Sequence, residues 1–258
     1  NDFADFIIID NLKDFNILET IINGQTVYSN NRILFNTKKI KPINKFNAKP
    51  ISVENLRVEN LNKEIKVIEV IDNELITNQI ICKPKVENNN LVSDIEKDIL
   101  KIVVYNRYQE NSKPQIGFIK GFGLRDGAVA TSVAHDSHNI IAIGNTDQDI
   151  CNAINEIMEN KGGLTYVKNK DYYTLNLEFA GLMTQDNAEN VAQKYETLNK
   201  IIKVNGSVLT APFMTLSFMA LLVIPKLKIG DRGLFDVEKF EFTELFVWMF
   251  HVEQIITI

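Results

Sequence analysis

Short apolar runs separated by polar turns fill the first half of the chain, and two helix-period patterns stand out in the second. Residues 4–10 hold Phe6-Ile7-Ile8-Ile9, which reads as a buried strand. Runs at 17–22 and 25–28 flank Asn23-Gly24. Asn-Gly between two apolar runs predicts a hairpin, because both residues tolerate positive φ. Residues 30–50 turn polar and basic around Pro42 and Pro50, which predicts a linker and a domain boundary near 48. Strands are expected at 51–58, 65–71, 76–81, 99–108, 115–120, 128–134 and 140–143. Ser93-Asp94-Ile95-Glu96 has capping-box spacing and predicts one helical turn.

Two helices are predicted. The first, 146–160, opens on Thr146 with Asp147 and Asp149 in its first turn, carries Ile150, Ala153, Ile154, Ile157 and Met158 on one face, and ends at Gly162. The second, 184–204, spaces Val191, Tyr195, Leu198 and Ile202 at helical intervals and stops at Gly206. Between them, 164–167 and 172–179 form a hairpin over 168–171. Strands followed by a strand–helix–hairpin–helix order give a mixed, α+β fold class. The most apolar stretch, 213–224, falls well short of the roughly twenty residues of a membrane span and contains Thr215 and Ser217. It reads as buried core or a lid.

Charge adds little direction. A net charge of −5 with one short basic cluster, Lys38, Lys39 and Lys41, gives no reason to expect nucleic acid or an anionic membrane as partner. Cys82 and Cys151 form no CxxC pair, so a reducing, cytoplasmic setting is expected and a disulfide framework is not. The first residues show no initiator Met and no signal-type run, and are expected to be an interior stretch of a longer protein.

The chemistry-bearing residues concentrate in one place. Gly121, Gly123 and Gly127 lead into the run Ala128-Val-Ala-Thr-Ser-Val-Ala-His-Asp-Ser-His-Asn139, which holds two of the three histidines. A loop at the end of a buried strand can hold functional side chains rigidly yet accessibly. His135, Asp136 and His138 could serve as ligands, proton carriers or hydrogen-bond partners of a polar heterocycle. The plainer alternative is a tight turn in which Asp136, Ser137 and Asn139 satisfy local backbone groups. A Ser–His–Asp hydrolase through Ser132 or Ser137 lacks a Gly-x-Ser-x-Gly elbow. Two histidines separated by two residues lack the further ligands that a closed metal site needs. The glycines match no phosphate-binding pattern, and Arg125 reads as a loop charge.

This run, from Gly121-Phe-Gly-Leu-Arg-Asp-Gly to His135-Asp-Ser-His-Asn-Ile-Ile141, resembles the signature of the C-terminal domain of prokaryotic adenine deaminases. So do Ala180-Gly-Leu-Met183, Pro212-Phe-Met-Thr-Leu-Ser-Phe218, Val223-Ile-Pro225 and Gly233-Leu-Phe-Asp-Val237, and residues 4–10 look like the strand by which amidohydrolases return from barrel to β-sandwich. The resemblance runs to about residue 246. It implies an amidohydrolase with a (β/α)8 barrel, a composite β-sandwich and an extra C-terminal domain. The barrel would bind a divalent metal, manganese or iron, that readies hydroxide to attack C6 of adenine, giving hypoxanthine and ammonia in purine salvage.

Two departures matter. No His-x-His occurs and three histidines cannot supply the usual ligands, so the catalytic barrel is expected to be absent, no metal ligand is assigned here, and the chain alone is not expected to deaminate. The tail from Trp248 to Ile258 does not look like the family's ending, so His251 receives no role. The expected organisation is 1–47 as the last piece of the β-sandwich plus linker, 48–246 as the C-terminal domain, and 247–258 as an atypical tail. The expected partners are adenine, the missing barrel and a second copy of the chain. Candidate contacts to substrate or to the groups around it are His135, Asp136, His138, Asn139, Arg125 and Ser132, with Phe213 and Met214 as apolar cover for a purine. The alternative is a non-catalytic binding or oligomerisation module that keeps the fold.

Overall fold

The computed structural model describes residues 2–36 and 38–248. The chain divides into two compact units, Asn1–Lys41 and Pro42–Ile258. In the first, β1 (Phe6–Ile9), β2 (Ile17–Ile22), β3 (Gln25–Ser29) and β4 (Arg32–Ile33) form an antiparallel meander in that order. Asn23 and Gly24, at φ 52° and 73°, make the expected hairpin, and Asn30 and Asn31 repeat the device between β3 and β4. Burial of β1 does not hold: Phe6, Ile7 and Ile8 are exposed. A single sheet within this unit supplies no second layer to cover them.

The second unit is built on β5 (Ile65–Val70), β6 (Thr77–Cys82), β7 (Lys85–Glu87), β8 (Asn90–Val92), β9 (Ile99–Tyr105), β10 (Gln115–Lys120), β11 (Ala128–Thr131) and β12 (Ile140–Gly144). Then come α1 (Asp147–Glu159), β13 (Gly163–Lys168), β14 (Asp171–Asn176), α2 (Ala188–Val204), α3 (Pro212–Phe218), β15 (Leu227–Gly230), β16 (Gly233–Asp236) and β17 (Glu241–Thr243). Eight strands form one open sheet in the order β14-β13-β11-β12-β9-β10-β5-β6, antiparallel except where β10 meets β5. The arrangement is α+β.

Both faces of this sheet are covered, which is why β9 and β12 are near-continuous apolar runs rather than alternating ones. Ile150, Ala153, Ile154 and Ile157 of α1 pack on Val103, Ala130, Ile140 and Ala142. On the other face Leu198 and Ile202 of α2, Phe213 and Leu216 of α3, and Ile229 and Leu234 of the β15–β17 sheet pack on Ile102, Val104, Ile141 and Ile143. Lys101 breaks the apolar run of β9. Its ammonium reaches Asp147 Oδ1 at 2.6 Å in the first turn of α1 and the Leu56 carbonyl at 2.8 Å. Thr146 caps α1 as expected, accepting from Asp149 N.

Several expected elements differ. Residues 51–58 are not a strand. Val53–Leu56 form a 3-10 turn, because the Asn55 side chain accepts from Ser52 N and closes the backbone locally. Ser93 starts no helix. Its hydroxyl accepts from Lys101 N and donates to the Gly144 carbonyl, while Asp94 and Ile99 exchange backbone bonds across a tight turn with Asp98 at φ 52°. Helix α2 begins at Ala188, where Asn187 caps it, rather than at 184. Strand β11 stops at Thr131, short of the expected 134. Residues 44–48, read as linker, are hydrogen-bonded within the second unit: Asn44 Nδ2 donates to the Glu178 carbonyl, and Asn47 N and Ala48 N to that of Arg107. Within the apolar stretch 213–224, the first half is α3. The expected atypical tail lies outside the described residues from 249 onward.

Candidate functional site

The connection from β11 to β12 carries the two histidines. The strands pair as Thr131 with Ile141, so the intervening residues must reverse direction at the sheet's end. The His138 amide donates to the Ala134 carbonyl at 2.7 Å and closes the turn, with His138 at φ 52°. Helix α3 holds the loop from one side. The His135 amide donates to the Ser217 carbonyl at 3.1 Å, and the His135 ring stacks on Phe218 at 4.7 Å between centroids. The two imidazoles meet edge to face at 5.8 Å.

His135 and His138 are half-buried, Asp136 and Ser137 are exposed, and Asn139 is buried. Among the described residues, His138 Nδ1 and Asn139 Oδ1 are buried without a protein hydrogen-bond partner. Buried polar atoms are usually paired; Asn145 Oδ1 and Asn199 Oδ1 share this state elsewhere in the fold, and here the two such atoms fall on adjacent residues. Burial, reinforced by His135 and Arg107, holds the His138 imidazole below the ordinary histidine value, and Asp136 opposes the shift. His138 is therefore neutral at pH 7 and offers one N–H and one lone pair.

Arg107 and Tyr108, just beyond β9, hold the loop from the other side. Arg107 is buried. Its Nε donates to the His138 carbonyl at 2.6 Å, and Nη2 donates to the Ala180 carbonyl at 2.6 Å and to Tyr108 Oη at 2.9 Å. Nη1 donates to Asn44 Oδ1 at 3.1 Å. Tyr108 Oη in turn donates to the Ser137 carbonyl at 2.8 Å. The guanidinium also lies over the rings of Phe46 and Tyr108, at 4.4 and 4.5 Å. Its hydrogen-bond acceptors are neutral oxygens throughout.

The other sequence candidates fall in different places. Ser132 is fully buried. Its hydroxyl donates to the Gly181 carbonyl at 2.6 Å and accepts from Gly163 N at 2.9 Å, which ties the start of the loop to β13 and to the 180–183 turn. Arg125 is exposed and lies at the opposite end of β11 from His135, with its amide on the Asn205 carbonyl. Phe213 and Met214 line an apolar cavity of about 230 Å³ with Thr131, Val133, Tyr195 and Ser217 among its walls. Phe213 is buried and Met214 half-exposed. Ser217 belongs to this cavity and also anchors His135, so the two features share α3.

The structure thus brings His135, Asp136, His138 and Asn139 together, sets Phe213 and Met214 beside them through α3, and leaves Arg125 apart. Sequence reading missed Arg107, Tyr108 and Phe218. An arginine two residues after a strand that is apolar but for Lys101 was the available signal for the first. Among the described residues no three His, Cys, Asp or Glu side chains converge as a metal would require, so the residues present do not fit the divalent metal that the resemblance implies.

The sequence model of the family described as the adenine deaminase C-terminal domain matches residues 74–241. An adenine deaminase of Methanosarcina mazei is 50% identical over 95% of this chain and 46% of its own length. Those of Borreliella burgdorferi and Salinibacter ruber are 46% and 39% identical over 94% and 95% of this chain, and 44% and 45% of theirs. The chain spans about half the length of the curated relatives it matches. With most of its length matched, the chain belongs to the adenine deaminase C-terminal domain family.

Proposed function

We propose that this chain is the C-terminal part of an adenine deaminase, which hydrolyses adenine to hypoxanthine and ammonia in cytoplasmic purine salvage. The carrying observation is identity of 39–50% over nearly the whole chain to proteins of that name, whose own lengths are matched only by half. The divalent metal of such an enzyme, manganese or iron, belongs to the barrel in the other half, where it supplies activated water. The residues of this chain bind and orient. His138 presents a neutral imidazole, and the paired donor and acceptor edges of an aminopurine suit it and Asn139. Half-buried His135 and exposed Asp136 flank them on the same loop, and Phe213 and Met214 provide apolar cover. A homo-oligomer is part of the same reading.

The test is His135→Ala in the protein with its preceding half present. Misplacing a bound substrate by about 1 Å costs about 10²-fold in rate, so kcat should fall by about a hundredfold with an unchanged thermal midpoint. Unchanged kinetics with a lowered midpoint would make the loop architectural. Residues 1–258 alone should release no ammonia from adenine. Turnover by that chain, freed of contaminants, would overturn the division of labour.

A further inference from the structure

We infer that Arg107 and Tyr108 are positioning residues for the His135–Asn139 loop, joined by Arg107 to the 44–48 segment that enters the second unit. The inference rests on the proposed role of that loop and names what sets its geometry. Three chain segments, distant in sequence, converge on one guanidinium. The loop offers the His138 carbonyl to Nε, the 180–183 turn offers the Ala180 carbonyl to Nη2, and the entering segment offers Asn44 Oδ1 to Nη1. The grip is returned, since the Arg107 carbonyl accepts from Asn47 N and Ala48 N, and the Phe46 ring covers the guanidinium.

Tyr108 extends the grip by one residue. Its hydroxyl accepts from Arg107 Nη2 and donates to the Ser137 carbonyl, so consecutive carbonyls of the loop are fixed by consecutive residues after β9. Gly181 leaves the space this needs: a Cβ there would lie 2.9 Å from Arg107 Nη1 and 3.2 Å from Ser132 Oγ. A planar fork with several donors at fixed angles sets a loop's orientation in a way a lysine's single ammonium cannot. Both residues act through backbone carbonyls and leave the His135 and His138 rings free. A displacement of about 1 Å at such a loop is enough to lose about 10²-fold in rate.

The experiment uses the protein with its preceding half and compares Tyr108→Phe with His135→Ala. Tyr108→Phe keeps the ring under the guanidinium and removes the hydroxyl that accepts from Arg107 Nη2 and donates to the Ser137 carbonyl. Its kcat should fall by about tenfold with KM for adenine within about twofold, and exchange of the His138 amide should quicken. A kcat equal to that of the parent overturns the inference, whether or not amide exchange quickens. If Tyr108→Phe does not fold, Arg107→Lys is judged by the same split between kcat and KM. If His135→Ala leaves kcat intact, the role of the loop itself falls. If His135→Ala abolishes turnover while Tyr108→Phe leaves it whole, only the clamp is refuted.

Discussion

Lys228 lies in β15 with no exposed surface, and among the described residues its ammonium's one hydrogen bond is the 2.7 Å donation to the Leu75 carbonyl. Burial alone pushes its ammonium from 10.5 down to about 8. The unfolded chain keeps the ordinary value. Below pH 8 both states are protonated and the folded state bears the full penalty of a buried cation. Between pH 8 and 10.5 the folded state releases its proton while the unfolded state retains it, so stability rises with pH. The size of that rise is about 3 kcal/mol, at about 1.4 kcal/mol for each tenfold change in proton affinity. Lys228→Met removes the penalty and leaves the Leu75 carbonyl without its donor, a loss of about 1 kcal/mol. The variant should therefore be more stable than the parent at pH 7 by about 2 kcal/mol. The advantage should shrink and reverse towards pH 10.5. Urea midpoints followed by circular dichroism at intervals from pH 7 to 10.5 give the difference directly, and other titrating groups cancel between the two proteins. A difference that stays level across this range would refute the reasoning, as would a variant less stable at pH 7.

Asp147→Ala should be costly for the converse reason. It leaves the wholly buried Lys101 ammonium with only the Leu56 carbonyl, and stripping one partner from a buried pair costs about 3–5 kcal/mol, read as a fall in the urea midpoint. Gly163→Ala places a Cβ 2.3 Å from the Leu175 carbonyl at φ 145°, between paired strands β13 and β14. The loss should be well above the roughly 1 kcal/mol of an ordinary glycine substitution, and thermal melting measures it.

The legible parts of the fold were those whose cause is local. Thr146 with Asp147 and Asp149 announces a helix start because the cap and the dipole act within one turn. Asn23-Gly24 announces a hairpin because both residues take positive φ. The errors came where a local signal had a competitor. Ser93 has a capping pattern, yet its hydroxyl serves Lys101 N and the Gly144 carbonyl, partners that only the folded sheet supplies. Lys228, Gly230 and Gly233 interrupt the apolar pattern of β15 and β16, so that sheet was not anticipated. At the site, two histidines in four residues were visible as chemistry. The clamp was not, because Asn44, Arg107, His138 and Ala180 become neighbours only through tertiary contact.

The energetics of that clamp bear on whether the loop is architecture or apparatus. A buried guanidinium facing only neutral oxygens lacks the Coulombic return that a carboxylate would give, and burial accordingly disfavours its charged form. If fastening three segments together were the sole requirement, apolar side chains of similar volume would do it at least as well, since replacing buried charge by packed hydrophobic groups is often stabilising. What apolar packing cannot do is fix the direction of individual carbonyls, and with them the planes of the peptide groups that carry His138 and Ser137. His138 Nδ1 and Asn139 Oδ1, buried without a protein partner, lie on the loop that this guanidinium holds. A loop whose carbonyls are fixed at such a cost, within a sheet otherwise covered on both faces, is what the proposed positioning role requires.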